Sequence, residues 1–286
     1  MIDASALTAI DVHVHIEVDD HGHGSLPPDL VDAMTKYFGA EPSRPGIDDV
    51  AAYYRERRMA AVVFTVEATT NLRHPAISSA DVIARALAEH SDVLIPFGSV
   101  DPLGPDPVGA ADALISAGAR GFKFHPTAQG FSPDDRAHYP LYERIQAAGL
   151  PTIWHTGQTG AGAGTPGGYG MKLALSTPML LDAVAADFPA LQIVMAHPSV
   201  PWQDEAISVA THKANVWIDL SGWSPKYFPE QLVRQARTRL QDKVLFGSDF
   251  PVLTPDRWMK DFALLEFPED VTRKILLENA RRLLAL

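Results

Sequence analysis

The chain has 286 residues, 46% of them hydrophobic, and its formal net charge is −11. That length fits one large α/β barrel or two small domains, and the hydrophobic content is typical of a well-buried globular core. An acidic chain is repelled by nucleic acid and by anionic membranes, so neither is an expected partner. The sequence contains no cysteine, which excludes disulfides and thiolate ligands, so any metal must bind to His, Asp, Glu or a modified Lys.

The N-terminal residues lack the basic flank and the apolar core of a signal peptide, and no apolar run approaches the length of a membrane span. We therefore expect a cytoplasmic protein. Its expected partner is a small-molecule substrate, and a homo-oligomer is compatible with the sequence.

Short apolar runs alternate with helical patterns from one end of the chain to the other. The predicted strands are Ala9–His15, Ala61–Val66, Val93–Val100, Gly121–His125, Thr152–His155, Ile193–His197, Val216–Leu220 and Val244–Ser248. The predicted helices are Ala80–His90, Val108–Ala117, Leu141–Ala148, Pro178–Phe188, Glu205–Lys213, Pro229–Leu240 and Arg273–Leu284. Eight strands alternating with helices predict a (β/α)8 TIM barrel, formed as a single domain over residues 1–286. The alternative is an open doubly wound sheet, which is disfavoured because no glycine-rich dinucleotide fingerprint follows the first strand.

The connection between His15 and Met59 is long, and it holds the pair Pro27-Pro28 and short helical patterns. Loops that follow the strands of a barrel build its active site. We therefore expect this β1–α1 insertion to form a lid or a wall of the pocket, and to move.

His13 and His15 stand one residue apart at the end of the first predicted strand. Side chains alternate between the faces of a strand, so these two imidazoles point the same way. Such a pair is half of a metal site. The alternative is a surface strand that carries two solvated histidines.

More ionisable residues stand at the ends of later strands, where a barrel gathers its chemistry. Each is unremarkable alone, but together they form a set of nitrogen and oxygen ligands without sulfur, which suits Zn²⁺, Fe²⁺, Mn²⁺ or Co²⁺. The further members are Lys123, His125, His155, His197 and Asp249.

In these motifs the sequence resembles the amidohydrolase superfamily. Within it, the chain resembles the branch of metal-dependent hydrolases and decarboxylases that includes aminocarboxymuconate semialdehyde decarboxylase and the resorcylate decarboxylases. The motifs span nearly the whole chain in the family's order, and their combination is specific for the superfamily and weak for the substrate. They are Asp11-Val12-His13-Val14-His15, Gly121-Phe122-Lys123-Phe124-His125-Pro126, His155-Thr156-Gly157, Ala196-His197-Pro198, Gly247-Ser248-Asp249-Phe250-Pro251 and Glu278-Asn279-Ala280.

The resemblance implies one divalent metal, with zinc as the first choice, manganese, iron or cobalt as alternatives, and a second metal left open. It assigns the metal to His13, His15, His155 and Asp249, and makes His197 a catalytic histidine. Elementary chemistry agrees, because such a metal lowers the pKa of a water toward neutrality, and Asp249 can accept the proton. His197 can stabilise the oxyanion that forms. The alternative for Asp249 is the N-cap of a helix.

Lys123 has three interpretations, of which contact with the substrate is preferred; His125 and Trp223 are the other predicted substrate-binding residues. The first alternative is a carboxylated lysine that bridges two metals, as in two-metal members of the superfamily, and His197 is then a ligand. The second is a structural charge paired with Glu67 or Asp101.

The predicted function is a metal-dependent hydrolase that acts on a small carbonyl substrate such as an ester, a lactone or an amide. The runner-up is a nonoxidative decarboxylase of an aromatic or unsaturated acid. A decarboxylase needs a cationic clamp for the carboxylate, which Arg73 or Lys123 can supply. The third alternative is a barrel that binds a ligand or metal without turnover.

Overall fold

Parallel strands form the framework of the protein, and the computed structural model describes residues 2–39, 43–75 and 77–286. Each strand pairs in parallel with the strands next to it in the chain, except that β3 and β4 do not pair with each other. The strands are β1 (Ala9–His15), β2 (Met59–Phe64), β3 (Leu94–Pro96), β4 (Gly98–Ser99), β5 (Phe122–Phe124), β6 (Thr152–His155), β7 (Ile193–Ala196), β8 (Val216–Asp219) and β9 (Val244–Leu245).

The third barrel strand is divided into β3 and β4, where the sequence predicts the single strand Val93–Val100. β3 pairs with β2, and β4 pairs with β5. At the point of division the amide of Phe97 donates to Val63 O at 2.9 Å, and that of Gly98 donates to Gly121 O at 2.9 Å. The strand therefore changes its pairing partner without leaving the barrel wall.

The seam between β9 and β1 closes the barrel. The amide of Val12 donates to Phe246 O at 3.0 Å, and the amide of His15 donates to Phe250 O at 2.8 Å. Phe246 to Phe250 continue the chain beyond β9, whose ladder is shorter than the predicted Val244–Ser248. The prediction of a (β/α)8 TIM barrel is confirmed.

Helices follow the strands and cover the barrel. The α-helices are α1 (Pro28–Phe38), α2 (Ile47–Glu56), α3 (Thr69–Leu72), α4 (Ser79–Glu89), α5 (Pro107–Ala117), α6 (Pro126–Gln129), α7 (Tyr139–Ala147), α8 (Met179–Asp187), α9 (Gln203–His212), α10 (Glu230–Arg237), α11 (Pro255–Ala263), α12 (Glu269–Arg273) and α13 (Asn279–Leu284). Single 3₁₀ turns cover Arg136–His138, Pro166–Gly170, Leu173–Ser176 and Pro225–Tyr227. A π turn at Lys274–Glu278 joins α12 to α13, so the closing helix begins earlier than predicted and is not uniform. Among the helices described, none combines the length and the apolar character that crossing a bilayer requires.

Two apolar layers hold the fold together. The inner layer fills the barrel with side chains from alternate strand positions, such as Val62 and Val194, and is closed by Ala280 and Leu284 of α13. The outer layer packs the other strand faces against the helices. Burial of apolar surface in these two layers is the main stabilising contribution, on the order of 25 cal/mol per Å².

The insertion between β1 and β2, which contains α1 and α2, lies at the C-terminal end of the barrel. Gly24 O is 3.3 Å from Nε2 of His74, which follows β2. Asp29 of α1 accepts a hydrogen bond from the hydroxyl of Tyr169, in the loop after β6, at 2.9 Å. Both contacts are with loops that leave the C-terminal ends of strands, which is where the sequence places this segment. That it moves stays a prediction.

A register shift in β1, between Asp11 and Val14, changes the direction of its side chains. Val12 packs inside the barrel and Val14 outside it. Asp11 therefore does not join the histidines. Its carboxylate accepts hydrogen bonds from the Tyr54 hydroxyl of α2 at 2.7 Å and from the amide of Ser248 at 2.9 Å. This carboxylate fastens α2 and the end of β9 to β1.

We expect Tyr54→Phe to lower the free energy of unfolding by about 2 kcal/mol, because it removes a donor from a buried carboxylate. Burial raises the pKa of Asp11 to about 7, so the carboxylate is mostly charged at pH 8, where urea unfolding should be measured. Tyr142→Phe is the matched control, since Tyr142 is equally buried but donates to the neutral Pro133 O, and it should cost about 1 kcal/mol. Equal losses in the two variants would show that Asp11 does not depend on Tyr54.

Candidate active site

Strand alternation points three ionisable side chains into the mouth of the barrel. Ile153 and Trp217 pack in the inner layer, so His155 and Asp219, two residues further along each strand, face the same way. Lys123 is flanked on β5 by two phenylalanines that pack in the outer layer, and it therefore also faces inward. All three side chains are buried.

His197 reaches the site through an unusual backbone conformation. Ala196 packs inside the barrel, so simple alternation would turn His197 toward the helices. Instead, His197 has a φ of 69°, in the left-handed region, and Asp249 has a φ of 68°. This conformation costs a residue with a side chain about 1–2 kcal/mol. It places His197 Nδ1 2.9 Å from Ser221 Oγ, beside the barrel axis.

Three polar atoms from the two sides of the barrel seam meet at one point. Nε2 of His13 and Nε2 of His15 are 3.3 Å apart. Asp249 Oδ1 lies 3.3 Å from the first and 3.2 Å from the second. The two imidazoles do point the same way, and these three residues are close enough to share a metal ion.

The charge of Asp219 determines which ring nitrogen of His13 carries a proton. Burial would raise the pKa of Asp219, but the hydrogen bond from His13 lowers it, so Asp219 is a carboxylate. His13 Nδ1, 3.0 Å from Asp219 Oδ2, must therefore carry the proton, and His13 Nε2 presents a lone pair. Burial, helped by Lys123, lowers the pKa of His13 to about 3, so the imidazole is neutral.

Asp249 is the third residue of this group, and its side chain is ionised. Burial would raise its pKa, but the hydrogen bond from His15 holds the pKa well below its usual range. A proton of His15 now lies between its Nε2 and Asp249 Oδ1, and the ammonium of Lys123 lies 2.9 Å from His13 Nε2. A divalent cation would take the place of both and bind all three atoms. The donor set of His13, His15 and Asp249 therefore fits a divalent metal, as the sequence predicts.

His155 lies beside this group rather than inside it. Its Nδ1 is 3.0 Å from His197 Nε2, and its ring stacks on that of His125 with centroids 3.8 Å apart and planes at 9°. His155 Nε2 is buried and has no hydrogen-bond partner among the described residues. An enclosed nitrogen without a partner is costly unless a ligand satisfies it. His155 is nevertheless not among the residues whose ligand atoms gather with those of His13, His15 and Asp249, so its role as a metal ligand stays a prediction.

A second set, His13, His197 and Asp219, is also compact enough to hold an ion. Its acceptor atoms are already satisfied, because Asp219 Oδ1 accepts the amides of His197 at 3.2 Å and Ser221 at 2.9 Å, and Oδ2 accepts from His13. We therefore place the candidate metal on the first set.

Lys123 is in the centre of the site and is only 1% exposed. Its Nζ lies 2.9 Å from His13 Nε2 and 4.8 Å above the ring of Phe64. Burial lowers the pKa of Lys123 to about 8, against the attraction of Asp219 and Asp249. Among the described residues Lys123 makes no ion pair with Glu67 or Asp101, so the structure does not support the structural-charge alternative.

The two other predicted substrate-binding residues differ in their surroundings. His125 Nδ1 accepts the amide of Ala128 at 3.2 Å, so the proton of the neutral ring is on Nε2, and the side chain is partly exposed. His125 can therefore donate to a ligand. Trp223 is partly buried and packs against the outer apolar layer. Contact of either residue with a substrate stays a prediction.

Sequence reasoning gives Ser221 no role of its own, yet its Oγ lies 3.0 Å from His13 Nδ1 and 2.9 Å from His197 Nδ1. The signal was present, since Asp219 and Ser221 are two residues apart at the end of a strand and so share a face.

Gly222 allows His197 and Asp249 to approach each other. It has a φ of +72°, and an alanine Cβ there would lie 2.7 Å from His197 Nδ1 and 3.2 Å from Asp249 Oδ2. We expect Gly222→Ala to weaken metal binding at least roughly tenfold, because both side chains must shift. Gly149→Ala is the matched control, with a φ of +68° and open space at its Cβ among the described residues. Both variants should lose about 1–2 kcal/mol of stability, and equal metal affinity in both would contradict the role of Gly222.

Comparison with known protein families identifies the chain. A family model described as Amidohydrolase matches residues 10–286. The chain therefore belongs to the amidohydrolase family, as its motifs predict, and is an enzyme of the amidohydrolase superfamily. No curated protein sequence matches the chain.

Solved structures show the same fold. An uncharacterized TIM-barrel protein from Bordetella bronchiseptica is 24% identical with a TM-score of 0.76, over 97% of this chain and 98% of that one. A dihydroxybenzoic acid decarboxylase from a Polaromonas species, with bound manganese and the inhibitor 2-nitroresorcinol, is 14% identical with a TM-score of 0.67, over 98% of this chain and 97% of that one. A protein from Acinetobacter baumannii described as a 2-pyrone-4,6-dicarboxylic acid hydrolase, with citric acid bound, is 14% identical with a TM-score of 0.63, over 98% of this chain and 100% of that one.

Proposed function

We propose that this protein is a metal-dependent hydrolase of a small carbonyl substrate, such as an ester, a lactone or an amide. The observation that carries the proposal is the meeting of His13 Nε2, His15 Nε2 and Asp249 Oδ1 within 3.3 Å of one another at the mouth of the barrel. Two imidazole nitrogens and a carboxylate oxygen gathered at such short distances suit a divalent cation.

His13, His15 and Asp249 would hold the metal, with His155 as the fourth ligand, and zinc is the first choice. Its chemistry there would be Lewis acidity, which polarises a carbonyl and lowers the pKa of a water toward neutrality. The manganese in the related decarboxylase supports a divalent ion and leaves its identity to experiment.

The side chains around this point supply the remaining steps. Asp249 is ionised at neutral pH, so it can take the proton of the attacking water. His197 is a neutral imidazole beside the same point, and it can stabilise the negative charge that develops on the carbonyl oxygen if its Nε2 carries the proton and leaves His155 Nδ1. His125, with its proton on Nε2, can orient the substrate by a hydrogen bond. Lys123 can bind a polar group of the substrate if it leaves His13 when the metal binds.

Nonoxidative decarboxylation is the second candidate, and the buried ammonium of Lys123 is the observation that favours it. That group can neutralise the carboxylate of an aromatic or unsaturated acid, and the related structures include decarboxylases. Lys123 is directed at His13, however, and Arg73, the other proposed clamp, has no described contact with the site. We therefore prefer hydrolysis.

Two measurements test the proposal. Elemental analysis should find about one divalent transition metal per chain after loading, and a chain that cannot be loaded with zinc, manganese, cobalt or iron would refute the metal site. A screen of esters, lactones, amides and aromatic acids should then identify a substrate. Turnover in ¹⁸O-labelled water should place the label in the product, whereas carbon dioxide release without label would decide for decarboxylation.

A further inference from the structure

A groove of about 430 Å³ opens on the outside of the barrel, where α10 meets the segment that follows α11. Its volume lies within the range of roughly 300–1,000 Å³ that small-molecule sites span. The apolar part of its lining consists of Phe228, Val233 and Leu265, which belong to the outer apolar layer or pack against it. Among the described residues that line the groove, none belongs to the candidate active site, so the groove is a separate cavity.

Cations surround this apolar lining. They are Lys226, Arg234 and Arg237. Among the described residues they face one acidic side chain of the lining, Glu230, in a chain whose formal net charge is −11. Within the described part of the chain the three cations form no ion pair, whereas Arg257 of α11 is paired with Asp261 at 2.8 Å. The groove therefore carries a local excess of positive charge that attracts an anion.

The guanidinium of Arg237 has hydrogen-bond donors in excess of its acceptors. A guanidinium has five N–H donors. The acceptor described for Arg237 is Leu265 O, which is bonded to Nη2. Its Nε is buried and has no partner among the described residues, which costs free energy until an acceptor is supplied. A carboxylate suits such a group, because it accepts two parallel hydrogen bonds from a guanidinium.

The ligand must also cover apolar surface. Tyr227 and Leu264 precede the lining residues Phe228 and Leu265 in the sequence, and they are 63% and 70% exposed. An inorganic anion would leave this surface in water, and a hydrocarbon would leave the cations without a partner. A second copy of the chain and an anionic bilayer are both disfavoured by the net charge of −11. These features together favour a small molecule with one carboxylate and an apolar tail.

We propose that this groove is a binding site for a free fatty acid, whose carboxylate pairs with Arg237 and whose acyl chain covers Phe228, Val233 and Leu265. Lys226 and Arg234 strengthen the attraction of the carboxylate through their charge. The site is additional to the candidate metal site, and it depends neither on a metal ion nor on hydrolysis.

Isothermal titration calorimetry of the full chain at pH 7.5 tests the proposal with hexanoate, octanoate and decanoate, at concentrations below micelle formation. Each added methylene should tighten binding roughly two- to fourfold, because it buries more apolar surface. Octylamine has a chain of the same length as octanoate and the opposite charge, so it should bind at least roughly tenfold more weakly. Absence of decanoate binding, or equal affinity for octanoate and octylamine, would overturn the proposal.

Replacement of Arg237 locates the bound acid. Arg237→Gln removes the guanidinium and should weaken decanoate binding at least roughly tenfold. Arg282→Gln is the matched control and should keep the wild-type affinity. Arg237 Cζ lies 4.8 Å from the centroid of the Phe267 ring, and Arg282 Cζ likewise lies 5.0 Å from that of Trp217. Both arginines donate from Nη2 to a backbone carbonyl, but Arg282 lies in α13, outside the groove.

Arg234→Glu keeps the test decisive if Arg237→Gln fails to fold. Arg234 is exposed, so the substitution should leave the fold intact, and the reversed charge should weaken decanoate binding roughly threefold or more. Wild-type affinity for decanoate in Arg234→Glu or in folded Arg237→Gln would place the acid elsewhere on the protein and overturn the proposal. These titrations measure binding alone, so their outcome is independent of whether the protein hydrolyses an ester, a lactone or an amide.

Discussion

Replacing His13 with alanine is expected to remove bound metal and activity together, whereas His197→Ala should retain metal at saturating concentrations and lose activity. His13 is the residue whose Nε2 meets both His15 and Asp249, so its loss opens the metal group. His197 contacts His155 and Ser221 instead, so its loss should lower metal affinity only roughly 10–100-fold. Turnover at saturating metal should nevertheless fall on the order of a hundredfold or more, because the group that we propose stabilises the oxyanion is gone.

The measurement is elemental analysis after equilibrium with excess zinc, followed by turnover of the identified substrate. His138→Ala is the matched control, since His138 is also buried but packs on Phe131, away from the site. It should keep both metal and activity. Complete metal loss in both His13→Ala and His197→Ala would contradict the assignment of one metal to His13, His15, His155 and Asp249.

Asp249→Asn should reduce turnover by roughly 10²–10⁴-fold, because the carboxylate is assigned two roles, as a metal ligand and as the acceptor of a proton from water. The amide that replaces it keeps the shape of the side chain but is neither anionic nor basic. Turnover at saturating metal is the measurement. Asp261→Asn is the control, as Asp261 is buried and paired with Ser224 and Arg257 of α11, and it should stay active. Wild-type turnover in Asp249→Asn would refute both roles.

The pH dependence of the wild-type enzyme follows from the same carboxylate. The pKa of Asp249 is held below its usual range, so the ionised form persists below the value of about 4 at which a solvated aspartate titrates. Protonation at still lower pH removes both the ligand and the base, and the rate then falls. A fall in rate as the pH decreases from 8 to 6 would therefore come from another group.

Much of the fold can be predicted from the sequence, because the alternation of side chains in strands and the spacing of apolar residues in helices both follow burial. Every predicted strand overlaps a strand of the structure, and apart from the division into β3 and β4 the disagreements lie at the ends. β9 is short because its continuation pairs with β1 through single bonds at Phe246 and Phe250, which no local pattern encodes. α11 was not predicted, although Thr254 followed by Pro255 is an N-cap signal that the structure uses.

The residue types of the site were predictable, and their orientation was only partly so. Lys123 and His155 follow alternation, and the strand pattern places them correctly. His197 depends on a left-handed backbone, and Asp11 is turned away from the histidines by the register shift in β1. Both are properties of the backbone in three dimensions, and apolar periodicity carries no information about them. The roles of His125 and Trp223 depend on a substrate and stay predictions.

A metal ion at the barrel seam would stabilise the closure of the barrel. His13 and His15 lie on β1, and Asp249 follows β9, so the group straddles the line where the first and last strands of the barrel meet. An ion held there would link the two ends of the long loop of chain between His15 and Asp249. Bringing the ends of such a loop together is entropically costly for an unfolded chain. Because an ion that binds only the folded chain stabilises it by mass action, resistance to unfolding would follow the free metal concentration. Depletion of the metal would then loosen the barrel first along this line, between its N-terminal and C-terminal strands.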